Sequence, residues 1–166
     1  AGADRDVLRT LRDAWPGRLI VKGVTSPEDA LNVRNIGVDA IYVSNHGARQ
    51  LDSSAAAIDL IGPIRSALGS DIPLIFDSGL RGGEDVLKAI ALGADFAMLG
   101  RPVLFALGAD GERGLRAYVD SVAHDLDVAM AQVGVSSIGE IGAGVLFNTM
   151  ERTIETAQSQ QSRIRV

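Results

Sequence analysis

Ala40-Ile41-Tyr42-Val43 runs directly into Ser44-Asn45-His46-Gly47-Ala48-Arg49-Gln50-Leu51-Asp52. Four apolar residues of strand length deliver an imidazole, a guanidinium and a carboxylate to a glycine-containing loop, as at the working rim of an α/β enzyme. Working outward, the same arrangement recurs three times. Leu19-Ile20-Val21 hands over to Lys22-Gly23, Pro73-Leu74-Ile75-Phe76 to Asp77-Ser78-Gly79-Leu80-Arg81, and Phe96-Ala97-Met98-Leu99 to Gly100-Arg101-Pro102.

Helical patterns separate these strands. Asp4 to Ala14 carries apolar residues at helical spacing, and Trp15-Pro16-Gly17 stops it. Pro27 to Ile36 opens on Thr25-Ser26-Pro27-Glu28-Asp29 and ends at Gly37. Further helices are expected over Ile58 to Leu68, Glu84 to Leu92, and Leu115 to Val133, which ends at Gly134. From Val135 the pattern is mixed. Residues 1–147 form the folded unit in this reading, and 148–166 a polar tail with little fixed structure of its own.

An internal repeat links the units. Glu28-Asp29-Ala30-Leu31 and Glu84-Asp85-Val86-Leu87 stand 56 residues apart, as do Gly37-Val38-Asp39 and Gly93-Ala94-Asp95. Strand one therefore corresponds to strand three, and strand two to strand four. Alternating strands and helices imply a parallel sheet, and repeated pairs of units suit a (β/α)8 TIM barrel, of which four units are half. A whole barrel takes about 250 residues, and four parallel strands leave two open edges. The expectation is that the other half lies upstream or in a separate piece, with a free-standing half-barrel or small open sheet as the alternative.

Composition narrows the function. With 166 residues, 46% of them hydrophobic, the chain suffices for one domain with a core. A net charge of −5 argues against a nucleic-acid partner. The absence of cysteine removes disulfides, cysteine-ligated zinc and a thiol nucleophile; no metal site is expected. No apolar run reaches the roughly 20 residues of a membrane span, and the first residues lack signal-peptide order. A cytoplasmic location is expected, with peripheral attachment at the inner face of the cell membrane left open.

On the rim, His46 suits a general base and Arg49 offers the planar fork that grips a carboxylate; the competing reading of each is a solvated loop residue. His124, in the last helix, reads as surface. Ser78 to Gly83 lies between a strand and a helix N-terminus, where backbone N–H groups, glycine and Arg81 would cradle an anion. Gly100-Arg101 repeats the device in the next unit, although glycines also serve ordinary turns. Lys22 reads either as a snorkelling strand-end lysine or as a cation facing a bound group, and Asp77 as a loop cap or part of the same pocket. Together they make a cationic pocket on an acidic chain, selective for anions.

From about Val7 to Ile141 the chain resembles the FMN-dependent α-hydroxy-acid oxidases and dehydrogenases, which include glycolate oxidase, flavin-type lactate dehydrogenases and mandelate dehydrogenase. The resemblance rests on Val21-Lys22-Gly23, Ser44 to Asp52, Asp77 to Gly83, and Ala91-Leu92-Gly93-Ala94 through Leu99-Gly100-Arg101. It implies the C-terminal half of the barrel and oxidation of an (S)-2-hydroxy acid, lactate-like, to the 2-oxo acid. His46 would be the base and Arg49 would bind the substrate carboxylate. Lys22 and Ser44 would lie at the flavin ring, Asp77, Gly79 and Arg81 at the ribityl and phosphate, and Gly100 with Arg101 at the phosphate.

Ala48 stands where the family usually has a second glycine. The family's N-terminal half supplies an aspartate that orients the base, tyrosines near the substrate and a second arginine. The 166 residues alone are therefore expected to turn over poorly, and to work with that half and as a homo-oligomer when complete. The first residues fall where the family has a long loop that is protease-sensitive or membrane-binding in some members. The alternatives are an FMN- or phosphate-binding half-barrel without turnover, and a different phosphate-binding barrel such as an isomerase or nucleotide dehydrogenase.

Overall fold

The computed structural model describes residues 4–147; the polar tail expected at 148–166 lies outside them. Nine main elements alternate: α1 (Arg5–Ala14), β1 (Ile20–Val24), α2 (Pro27–Asn35), β2 (Ala40–Val43), α3 (Ile58–Leu68), β3 (Leu74–Phe76), α4 (Gly83–Ala91), β4 (Phe96–Ala97) and α5 (Arg101–Val133). The strands form one parallel sheet in the order β1-β2-β3-β4. That is four consecutive β/α units, with β1 and β4 as its edges.

The helix ends follow the sequence signals. The Asp4 carboxylate accepts the N–H groups of Asp6 and Val7 at 3.1 and 3.0 Å, and the Ser26 hydroxyl accepts that of Asp29 at 3.1 Å ahead of Pro27 in the first turn of α2. Ile41 and Val43 on β2 and Leu74 and Phe76 on β3 are buried against Ala30, Ile61, Ile64, Leu68 and Ala89 of the helix layer. Burying side chains of this size stabilises by about 1.5–3 kcal/mol each. Alternation along the strands sends Lys22, Tyr42 and Ile75 to the opposite, inner face. There Ile20 and Phe96 are about half exposed, at 49% and 59%.

The repeat at an offset of 56 turns out to be a brace at the N-terminal end of the sheet. Gly37 and Gly93, at φ 91° and 110°, end α2 and α4 in a conformation that only glycine adopts cheaply. Two residues later, the Asp39 carboxylate accepts the Leu19 N–H at 2.8 Å and Arg12 at 3.0 Å. The Asp95 carboxylate likewise accepts the Leu74 N–H at 2.7 Å and pairs with Arg65. Each aspartate thus fastens the start of its own strand to the start of the preceding one.

Two expectations need correction. β1 does not stop at Val21: it continues to Val24, with its register against β2 shifting between Lys22 and Val24, so Lys22 and Gly23 belong to the strand. The last helix does not begin at Leu115 but at Arg101. Pro102 is tolerated because the first helical positions have no N–H partner to lose. Asp110 and Gly111 break the helix in two (Gly111 φ 53°), and a Cβ on Gly114 would stand 2.2 Å from the Ala106 carbonyl oxygen. Those glycines, which read as loop, serve a sharp bend between two helical segments. Among the described residues no helix is long and apolar enough to cross a membrane.

Candidate active site

All four strands point their C-terminal ends the same way, so the loops that follow them share one rim. At its base, Lys22 of β1 and Asp77 beyond β3 form an ion pair across β2. The Lys22 ammonium also donates to the fully buried Ser44 hydroxyl at 3.2 Å and lies 3.6 Å from the centre of the Tyr42 ring. The Tyr42 hydroxyl donates to the same Asp77 oxygen at 2.9 Å, and Ser78 donates to the other at 2.8 Å. Burial pushes the Asp77 carboxyl up, but its bonds from Lys22, Ser44, Ser78 and Tyr42 outweigh that and hold it below the usual range. Burial pushes the Tyr42 phenol up, and the Asp77 carboxylate adds to the rise, so the hydroxyl stays a neutral donor at working pH.

Ser44 also accepts the backbone N–H of His46 at 3.1 Å, which starts the catalytic-looking loop. His46, Gly47 and Ala48 form one 3-10 turn with φ of 56°, 65° and 61°, all left-handed. The Asn45 side chain holds the turn by accepting from Gly47 and Ala48 at 3.1 and 3.3 Å. Ser78, at φ 85°, accepts from Gly47 at 3.3 Å and ties the loops after β2 and β3 together. Left-handed backbone costs a non-glycine residue roughly 1–2 kcal/mol, so strain is concentrated at this rim. An Ala48→Gly variant is accordingly expected to be more stable by about 0.5–1 kcal/mol, part of the relief being offset by glycine's chain entropy. Denaturant unfolding measures this, and a less stable variant would contradict it.

The His46 ring rests on Gly23, where a Cβ would come within 2.7 Å of Nε2. The ring therefore stands over the end of β1, beside a cleft of about 690 Å3 that His46, Arg49, Gly79, Arg81, Gly100 and Arg101 help to line. Lys22 and Ser44 are not among its lining residues; both are joined to it through Asp77, which is. A Cβ on Gly79 or Gly100 would meet nothing, so the backbone at both is open to a ligand. Arg101 reaches the Gly47 carbonyl at 3.4 Å. The Arg81 backbone is held by the Asp85 carboxylate, which accepts its N–H at 2.9 Å, and by the Tyr118 hydroxyl, which donates to its carbonyl at 2.9 Å.

Charge pairing and position together set three arginines apart. Among the described residues, Arg5, Arg9, Arg12, Arg18, Arg65, Arg113 and Arg116 each pair with a carboxylate. Arg34, Arg49, Arg81 and Arg101 have none; Arg34 bonds the Asn35 amide oxygen at 3.4 Å, and the other three line the cleft. The residues singled out in the sequence thus converge on one rim. Tyr42, Asn45 and Tyr118 were missed. A tyrosine in an otherwise aliphatic strand, in register with Lys22, was the one available signal for Tyr42; nothing local marked Tyr118, which reaches Arg81 from a helix 37 residues away.

Residues 2–148 match the model of the FMN-dependent dehydrogenase family. The chain is 45% identical over 143 residues to an L-lactate dehydrogenase of Pseudomonas syringae, a match covering 86% of this chain and 38% of that protein. It is 42% identical over 130 residues to an L-lactate oxidase of Lentilactobacillus hilgardii, covering 78% and 35%. Among solved structures, the monotopic membrane protein (S)-mandelate dehydrogenase superposes with a TM-score of 0.84 at 38% identity, over 88% of this chain and 39% of that one. A lactate oxidase of Pediococcus acidilactici gives 0.81 at 38%, over 84% and 39%. The chain spans less than half the length of these relatives, and its four units are those of half a (β/α)8 barrel. With the family model matched over nearly all of its length, the chain belongs to the FMN-dependent dehydrogenase family.

Proposed function

We propose that this chain carries the phosphate-binding and proton-accepting side of an FMN-dependent enzyme that oxidises a small (S)-2-hydroxy acid, lactate-like, to the 2-oxo acid. The observation that carries this reading is the gathering of Arg49, Arg81 and Arg101, none with a carboxylate partner, with His46 around one cleft on the strand rim. The residues present fit FMN. Arg81 and Arg101 offer charge to a phosphate, and the open backbone at Gly79 and Gly100 lets it approach. Asp77 and Ser78 offer oxygens to a polyol, and Lys22, paired with Asp77, is the cation joined to them. When bound, the flavin supplies the acceptor for the two electrons that leave the hydroxy acid.

Each side chain then has one task. Arg49 fixes the substrate carboxylate through its planar fork. His46 takes the substrate proton, and its backing by Gly23 leaves the ring no room to retreat toward β1. Lys22, held by Asp77 and Ser44, places positive charge where negative charge would develop on the reduced ring. A second reading, an FMN-binding half that does not turn over by itself, rests on the same cleft, since Arg81, Arg101 and the open backbone at Gly79 and Gly100 suffice to hold a phosphate.

Quenching of flavin fluorescence on titration with the chain tests the binding. FMN should saturate, and Arg81→Gln should weaken FMN about tenfold while leaving riboflavin, which lacks the phosphate, unchanged. Failure of the wild-type chain to bind FMN would reject the proposal. Anaerobic addition of L-lactate then separates the readings. Bleaching of bound flavin that disappears in His46→Gln supports the enzyme, and FMN affinity without bleaching selects the binding half.

A further inference from the structure

We propose that Tyr42 is a positioning residue for Lys22, clamping the ammonium from below with its ring and anchoring the partner carboxylate with its hydroxyl. Tyr42 is the register partner of Lys22 on β1 and of Ile75 on β3, so the backbone alone places it between Lys22 and Asp77 on the inner face. Its ring centre lies 3.6 Å from the ammonium, inside the range of a cation–π contact. Its hydroxyl donates at 2.9 Å to the Asp77 oxygen that also receives Lys22. One side chain thereby meets both members of the pair.

The count of donors explains what this achieves. An ammonium has three N–H groups and no acceptor. Asp77 takes one and Ser44 another, and the Tyr42 ring covers the ammonium at 3.6 Å. Without the ring beneath it, a four-carbon lysine stem would sample many rotamers, at a cost in side-chain entropy on ordering of up to about 2 kcal/mol. With Tyr42 in place, that ordering is built in before a ligand arrives. The hydroxyl has a second effect: by donating to Asp77 it shares the carboxylate charge, so Lys22 is less fully neutralised by its partner. A tyrosine that merely filled space would need neither contact.

The consequence for the cofactor rests on the reading that FMN binds beside Lys22, whereas the clamp itself is a property of the ligand-free chain. The two are tested separately. The chain has two lysines, Lys22 and Lys88, so lysine-selective 13C labelling yields two ε-methylene signals, assigned with Lys88→Arg. Lys88, exposed on α4, serves as the reference. Ring current from Tyr42 should move the Lys22 signal upfield in the wild-type chain and in Tyr42→Phe, and Tyr42→Leu should return it to the Lys88 position. A wild-type Lys22 signal that coincides with that of Lys88 overturns the clamp, whatever the variants do. So does one that survives Tyr42→Leu.

The second readout is flavin affinity and the reduction potential of bound flavin. Tyr42→Leu should weaken FMN binding about tenfold and lower the potential; Tyr42→Phe, which keeps the ring, should weaken it roughly threefold. Equal affinity and potential in wild type and Tyr42→Leu overturn the positioning role. If the wild-type chain binds no FMN, the proposed function fails, and the lysine spectra alone decide the clamp.

Discussion

A Gly83→Ala variant is expected to lose about 3 kcal/mol of stability and to melt about 10 °C below the wild-type chain. By helix propensity the change should help, since alanine exceeds glycine by about 1 kcal/mol inside a helix. Packing reverses the sign. A Cβ on Gly83 would stand 2.0 Å from the Leu126 backbone nitrogen and 2.4 Å from the Asp125 carbonyl carbon. Both are main-chain atoms of α5, so no side-chain rotation relieves the clash, and α4 and α5 have to part. The damage would spread to the rim, because Tyr118 on α5 holds the Arg81 carbonyl at 2.9 Å. Gly82→Ala is the control: its Cβ would meet only the Asp125 carboxylate at 3.4 Å, at the far end of a side chain that can give. Thermal unfolding by circular dichroism compares the two. Melting of Gly83→Ala within a degree or two of wild type would show that the helices do not touch backbone to backbone.

Gly23→Ala joins stability to the site. Gly23 has φ 97°, a region closed to L residues without strain of roughly 1–3 kcal/mol. The new methyl would also stand 2.7 Å from His46 Nε2. The ring is then displaced from the end of β1, and a shift of about 1 Å in a catalytic group can cost on the order of 100-fold in rate. We expect about 2–3 kcal/mol lost in denaturant unfolding, together with a changed His46 signal in the proton spectrum. Only His46 and His124 contribute imidazole signals, and His124 serves as an internal reference. An unmoved His46 signal would mean that Gly23 is needed for its backbone alone.

Much of the fold is legible because it is written locally. β2 and α3 have the bounds that apolar period and breakers predict. The repeat at Gly37-Val38-Asp39 and Gly93-Ala94-Asp95 is legible as a pattern, but its meaning is not. That each aspartate braces the N–H that opens the preceding strand depends on which strands lie side by side. The first segment of α5 was missed because Pro102, Gly108, Gly111 and Gly114 are turn residues by propensity. Their use at a helix start and a bend is settled by contacts such as that of Gly114 with Ala106.

The site divides along the same line. Sequence by itself determined that this chain is α/β, that four strand ends carry the polar groups, and that His46, Arg49, Arg81 and Arg101 follow those strands. These points come from side-chain chemistry and from the alternation of strand and helix, which require no knowledge of distant neighbours. That Arg101 opens a helix rather than lying in a loop was not legible. Only the tertiary structure decided that Lys22 is bound to Asp77 across 55 residues of chain, that Tyr42 lies between them, and that His46 leans on Gly23. It also decided which arginines stay unpaired. The physical reason is that pairing of charges and the space beside a glycine depend on the parallel register of β1, β2 and β3, which sets angstrom-scale distances between segments that no local pattern connects.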